Sequence, residues 1–225
     1  HTINYQRHGL YYLLLMRVNM GQILWSPQKK HFSDTNIADF ISFIEKKKNI
    51  SLDNYDALYR WSIESGEDFW GLLWDYLNII HSEPYTSIID DIHKMPGAKW
   101  FSGVRMNFAE NLLRFRDDGI AIIFYGEDQV KNEISYQDLY NRVAHMALLM
   151  QELGINKGDR VAGYMSNSPE TVIFFLASAA IGAIWSSCSP DFGINGVVER
   201  FSQIKPKILF IGDKYFYNGK QINIL

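Results

Sequence analysis

The chain has 225 residues, which is enough for one large domain or two small ones. Its formal net charge of −3 excludes a domain-scale basic face. This balance argues against nonspecific nucleic-acid binding, and 47% hydrophobic with 21% charged residues is typical of a soluble protein. The one cysteine, Cys188, excludes an internal disulfide and favours a reducing compartment. Because no histidine lies near it in sequence, we interpret Cys188 as a small buried side chain rather than a nucleophile.

Residues 1–24 are left unassigned. The most apolar run, Leu10–Val18, is too short to span a bilayer and is interrupted by Arg17. Since the chain starts at His1 and not at methionine, we expect that the true start lies upstream or that the first residues are not native coding sequence.

Residues 25–112 are predicted to form a helical, aromatic-rich segment. Asp34–Asn36 supplies capping residues ahead of apolar residues that recur at helical spacing over 37–44, and this helix is predicted to run to about Lys48. Ser65–Asp68 indicates the entry to a second helix that ends near His81. Aromatic side chains at such spacing are more often core or docking surface than a ligand site.

The end of this segment has less periodicity. Residues 82–104 contain two prolines and two glycines, which predicts an irregular surface segment anchored by Trp100 and Phe101. A short helix is predicted over 107–114, followed by a turn at Asp117–Gly119.

From residue 113 onward the pattern becomes regular α/β, so we place a domain boundary between 112 and 113. Ile120–Tyr125 and the stretch around Glu133 are predicted to be paired strands. A helix begins after Ser135 and ends at Gly154. Its predicted inward face consists of Leu139, Val143, Met146, Met150 and Leu153.

The stretch from Gly154 to Asp213 alternates between strand and helix. Arg160–Met165, Ala183–Ser187 and Lys207–Gly212 are predicted strands, and a buried helix lies between the first two. The helix before the third strand has a predicted inward stripe of Val197, Val198, Phe201 and Ile204. Such alternation indicates an α/β fold with a parallel sheet and right-handed crossover helices.

In open sheets of this kind, ligands bind beyond the carboxyl ends of the strands. The candidate loops are therefore 166–170, 187–195 and 213–220. None contains the glycine spacing of a dinucleotide fingerprint, nor that of a phosphate-binding loop with its lysine. This argues against a nicotinamide enzyme.

Several motifs in register resemble the acetyl-CoA synthetase group of the adenylate-forming enzymes. The amino-terminal ones are Tyr55–Glu64, Phe69–Trp70 and Trp74–Asp75, and those shared across the superfamily are Gly158–Val161 and Ala183–Ser187. Four further motifs resemble the acetoacetate-activating branch of the group: Phe108–Arg114, Ser189–Gly193, Arg200–Ile204 and Tyr217–Lys220. The resemblance extends from about Trp25 to the end of the chain.

The resemblance implies an acid-thiol ligase of the cytosol, active in ketone-body and lipid metabolism. In its two steps, ATP and acetoacetate give an acyl-adenylate and pyrophosphate, and coenzyme A then attacks the activated carbonyl. Mg²⁺ is the usual partner of the phosphates. The resemblance implies no nucleic-acid, membrane or obligate protein partner.

In this family the phosphate loop, the adenine- and ribose-binding segments and the carboxy-terminal domain with its catalytic lysine lie downstream of the motif that ends at Lys220. We therefore expect residues 113–225 to be the first part of an adenylation domain, in a fragment that is inactive alone. No catalytic or metal-binding residue is assigned. By alignment on Gly219, Tyr217 and Lys220 take the positions of two basic residues that contact the phosphates of coenzyme A in related enzymes; a plain solvated lysine is the alternative for Lys220.

A second function class also stays open. The chain could be a noncatalytic, truncated α/β module that binds a protein partner through its aromatic amino-terminal segment. A reading frame that continues beyond Leu225 into a Ser/Thr/Gly-rich loop followed by lysine would favour the ligase.

Overall fold

A computed structural model describes residues 33–127 and 130–224 of the chain. The expectations for residues 1–24, including Leu10–Val18, lie outside this part. The chain divides into two compact units between Leu77 and Asn78. The domain boundary between 112 and 113 stays a prediction.

The described part of the first unit consists of three helices, α1 (Asn36–Lys48), α2 (Tyr55–Glu64) and α3 (Gly66–Tyr76). The Thr35 hydroxyl accepts a hydrogen bond from the Ala38 amide at 3.3 Å, so Thr35 is the one of the three predicted capping residues that caps α1. The predicted end of the next helix near His81 is wrong, because α3 ends at Tyr76. Sequence reasoning also did not identify α2 as a separate helix.

The aromatic residues of this unit serve both core and surface. Phe40 packs against Phe69 and Tyr76, with ring centroids 5.8 and 5.0 Å apart. Tyr55 and Tyr59 on α2 are exposed. Aromatic residues of this unit therefore lie both in its core and on its surface, and the use of the exposed ones as a docking surface stays a prediction.

The second unit begins with a segment that contains a short antiparallel pair, β1 (Ser87–Ile89) and β2 (Trp100–Ser102). The prediction of an irregular segment missed this pair. Of the two predicted anchors, Phe101 packs against Tyr85 with ring centroids 5.3 Å apart, whereas Trp100 is 42% exposed. The predicted short helix is confirmed as α4 (Phe108–Leu112).

Side-chain amides of the motif around α4 fix the backbone on either side of it. The Asn111 side chain accepts a hydrogen bond from the Ile80 amide at 2.8 Å and donates to the Ile80 carbonyl at 3.0 Å. The Asn107 side chain donates to the carbonyls of Ala179 and Ala180 at 3.1 and 3.0 Å. The two side chains therefore attach the segment around α4 to the backbone at Ile80 and at Ala179 and Ala180.

A β-hairpin and a long helix follow. The predicted strand pair is confirmed as β3 (Ile120–Tyr125) and β4 (Lys131–Ser135), which are antiparallel. Helix α5 (Tyr136–Glu152) begins where predicted, with the Ser135 hydroxyl accepting from the Asp138 amide at 3.1 Å. Leu153 was wrongly placed on the buried face, since it is 61% exposed.

The predicted parallel sheet is confirmed. It contains β5 (Arg160–Tyr164), β6 (Ile184–Cys188) and β7 (Ile208–Ile211), in the order β6-β5-β7 with both pairs parallel. Helices α6 (Pro169–Ala180) and α7 (Gly193–Ile204) connect these strands. The fold is α/β.

The two crossover helices bury opposite sides of β5. Val161 belongs to a core with Ile173 and Leu176 of α6, and Ala162 belongs to a separate core with Val197 and Phe201 of α7. Val198 was wrongly included in the inward stripe of α7, since it is 59% exposed. In the described ranges, no helix combines the length and apolar character that crossing a bilayer requires.

We expect Gly163→Ala to destabilise the second unit by about 1–3 kcal/mol, because overpacking forces a rigid ring to move. A Cβ at Gly163 would lie 2.6 Å from Cη2 and 2.7 Å from Cζ2 of Trp185. Denaturant unfolding of the 225-residue chain measures the change. The matched control is Gly212→Ala, whose Cβ would meet Ile224 at an ordinary 3.6 Å, and equal losses in both variants would contradict the prediction.

Candidate functional site

The carboxyl edge of the parallel sheet carries an open cleft of about 340 Å³. Its walls come from the turn after β3, the loop after β5 and the chain after β7. The lining residues are Phe124, Tyr125, Gly126, Glu127, Val130, Ser166, Asn167, Asp213, Lys214, Tyr215 and Phe216. Two of the three predicted candidate loops therefore meet here.

The remaining predicted loop, after β6, is held by the last residue of β5. It forms a short 3₁₀ turn over Pro190–Phe192, and the buried Tyr164 hydroxyl donates to the Pro190 carbonyl at 2.8 Å. The Ser189 hydroxyl donates to the Asp191 carboxylate at 3.0 Å. The turn is therefore held by one hydrogen bond from β5 and by one hydrogen bond between its own residues.

A tyrosine connects this turn to the chain after β7. Burial raises the pKa of Tyr215, and the charge of Asp191 and a hydrogen bond to its carboxylate raise the pKa further. Both effects of Asp191 favour the protonated phenol, which donates this hydrogen bond.

The segment predicted as a loop over 213–220 is instead a β-hairpin of β8 (Lys214–Tyr217) and β9 (Lys220–Asn223). Its signal was present in the sequence, because Asn218 and Gly219 form an Asn-Gly turn, and both have positive φ (50° and 72°). The two candidate residues, Tyr217 and Lys220, lie directly opposite each other at the tip.

Tyr217 and Lys220 share one face of the hairpin and are both exposed. Neither belongs to the described residues that line the cleft. Within the described ranges, Lys220 forms no ion pair with a carboxylate. The structure therefore brings the two candidates together as an exposed cation beside a phenol.

Sequence reasoning missed Glu127, which lies in the turn between β3 and β4. Its Oε2 accepts a hydrogen bond from the Gly219 amide at 3.0 Å. The two residues are 92 positions apart.

Other residues of the motifs lie away from this edge. Asp159 precedes β5 at the opposite edge, where its Oδ2 accepts from Lys207 Nζ at 2.6 Å, and this hydrogen bond lowers the pKa of Asp159. Across residues 33–127 and 130–224, no three His, Cys, Asp or Glu side chains cluster in a way that could hold a metal ion.

Comparison with known proteins agrees with the motifs. The family described as AMP-binding enzyme matches residues 108–223, which is more than half of the chain. This chain belongs to the AMP-binding enzyme family. The family described as acetyl-coenzyme A synthetase N-terminus matches residues 55–112, so the resemblance to adenylate-forming enzymes is confirmed.

Similar members of the AMP-binding family are named acetoacetyl-CoA synthetase. Those of Macaca fascicularis and Gallus gallus are 41% and 43% identical over 89% and 91% of this chain, which spans 30% and 31% of their length. A solved structure, acetoacetyl-CoA synthetase from Streptomyces lividans, matches 90% of this chain with a TM-score of 0.83 and 35% identity. The chain covers 32% of that protein.

We expect the Cys188 thiol to react slowly with iodoacetamide near neutral pH. It is buried at the end of β6, and burial raises its pKa, so the reactive thiolate is scarce. Mass spectrometry of labelled protein should show slower modification in the native chain than in urea, with the native rate rising at alkaline pH. Rapid native labelling at pH 7 would contradict this.

Proposed function

We propose that the protein to which this chain belongs is an acid-thiol ligase that converts acetoacetate to acetoacetyl-CoA. The observation that supports this most is an identity of about 40% to acetoacetyl-CoA synthetases over about 90% of the chain. The chain spans about 30% of the length of those relatives, so activity, substrates and cofactors are inferred for the whole protein.

A second short acid is a candidate substrate and can be tested in the same assay. A relative from Penicillium aethiopicum, 39% identical over 88% of the chain, is named malonamoyl-CoA synthetase. Malonamate and acetoacetate are both short carboxylates with a second carbonyl in the β position, and they differ only in an amino group or a methyl group. We propose acetoacetate because the other relatives reported above are named acetoacetyl-CoA synthetase.

The proposed reaction has two balanced steps. A carboxylate oxygen of acetoacetate attacks the α-phosphorus of ATP and pyrophosphate leaves; the coenzyme A thiolate then attacks the acyl carbon and AMP leaves. Mg²⁺ would supply charge neutralisation on the phosphates. We assign no residue of this chain to Mg²⁺, because its described residues offer no suitable cluster.

This chain's proposed contribution is to the second step, through Lys220 and Tyr217. An exposed ammonium without a carboxylate partner in the described ranges can pair with a phosphate of coenzyme A, while the Tyr217 hydroxyl can donate one neutral hydrogen bond. We propose the cytosol as the compartment, supported by the single buried cysteine.

We expect residues 1–225 alone to show no acetoacetate-dependent exchange of pyrophosphate into ATP. The sequence contains no glycine-rich phosphate loop with a lysine, and adenylation depends on positioned donors around the phosphates. The longest reading frame that contains these residues should catalyse the exchange. Exchange by the 225-residue chain would overturn the assignment of adenylation to other segments. If the longest reading frame showed no exchange with either acid, the proposed ligase activity would be overturned.

We expect Lys220→Ala, in the longest reading frame, to raise the KM for coenzyme A about tenfold to a hundredfold, the value of one charge-assisted hydrogen bond. Pyrophosphate exchange should stay nearly unchanged. Tyr217→Phe should cost less, because it removes a neutral hydroxyl and keeps the ring. Lys99→Ala removes an exposed charge from the same unit and serves as the control. An unchanged KM in Lys220→Ala would show a surface lysine, whereas an equal loss in both half-reactions would show a folding defect.

A further inference from the structure

The hairpin that carries Lys220 needs support at its tip. It has four residues in each strand, and a two-stranded hairpin is marginally stable by itself in water. Its base is held firmly, because the Gly212 amide donates to the Tyr164 carbonyl at 3.1 Å and the Ile224 amide donates to the Asp213 carbonyl at 2.8 Å. The tip lies beyond these contacts.

The Glu127 carboxylate supplies a contact at the tip itself. Gly219 stands at the second turn position, beyond the last residue pair of the two strands, Tyr217 and Lys220. Glu127 Oε2 accepts a hydrogen bond from the Gly219 amide at 3.0 Å. Gly219 directly precedes Lys220, so holding this amide restricts the position from which the lysine side chain extends.

Glu127 is itself attached to a packed element. The Gly126 amide donates to the Val130 carbonyl at 2.8 Å, which closes the turn between β3 and β4. Ile134 of β4 is only 1% exposed in the main core of the unit. The carboxylate therefore extends from a hairpin whose strands are anchored.

We propose that Glu127 is a positioning residue, which fixes the Gly219 amide and so holds the Lys220 ammonium where it can meet a phosphate of coenzyme A. This deepens, and rests on, the proposed function of Lys220. The role depends on an acceptor oxygen, whereas the negative charge by itself would repel the phosphate. Acceptor and charge can be separated by substitution.

The test uses the longest reading frame that contains the chain, with coenzyme A as the probe. We expect Glu127→Ala to raise the KM for coenzyme A about threefold to tenfold, the range of one hydrogen bond, with pyrophosphate exchange within about twofold of the parent. Glu127→Gln keeps an acceptor oxygen and should stay within about twofold of the parent. Glu133→Ala, on the same β3–β4 hairpin, removes a carboxylate that pairs with Lys131 and should change neither parameter.

Two further measurements show whether Glu127 acts through Lys220. In the Lys220→Ala background, adding Glu127→Ala should cost little more, since residues that act through one contact are not additive. Deuterium uptake over residues 214–224 should rise in Glu127→Ala and not in Glu133→Ala.

The outcomes distinguish the two proposals. If Lys220→Ala raises the KM and Glu127→Ala does not, the positioning role is overturned and the coenzyme A contact stands. If Lys220→Ala leaves the KM unchanged, both are overturned. A lower KM in both Glu127 variants would show a competing anion, and an equal rise in both would show that the acceptor is not what matters; either result overturns the positioning role.

Discussion

Strand β5 is the element on which the second unit depends, because it is paired along both edges and covered on both faces. Its parallel partners β6 and β7 satisfy its backbone groups. Val161 and Ala162 have no exposed surface and belong to the two separate cores beneath α6 and α7. A polar side chain at either position would lose water without gaining a partner, so the strand accepts only small or apolar residues there.

The end of this strand carries the burial constraint to the candidate site. Tyr164 is the last residue of β5, and its backbone carbonyl holds the Gly212 amide while its hydroxyl holds the Pro190 carbonyl. The hairpin after β7 and the turn after β6 are therefore both attached to one buried residue. Because the parallel strands place their carboxyl ends together, the loops that follow them meet at this edge.

Sequence patterns predicted this part of the fold well because its signals are local. The proline at the start of α6 and the apolar character of its surface needed no distant partner to be interpreted. The errors arose where a pattern allowed two answers. Leu153 and Val198 have the spacing of buried positions, but Leu153 lies just past the last residue of α5 and Val198 lies beside the buried Val197, and both are exposed. The hairpin at 214–223 was missed although an Asn-Gly turn is a hairpin signal, because the strands on either side of this turn have only four residues each.

The candidate site could be predicted only in part, because one of its side chains makes a contact that is distant in sequence. Glu127 and Gly219 meet across 92 positions, and nothing in the turn around Glu127 announces the contact. Two carboxylates at this edge already accept hydrogen bonds from other residues of the chain. Glu127 is engaged with a neutral amide, and Asp191 with the hydroxyls of Ser189 and Tyr215. Neither carboxylate forms an ion pair with Lys220 in the described part of the chain, which supports the proposal that this ammonium binds an anion from outside the chain.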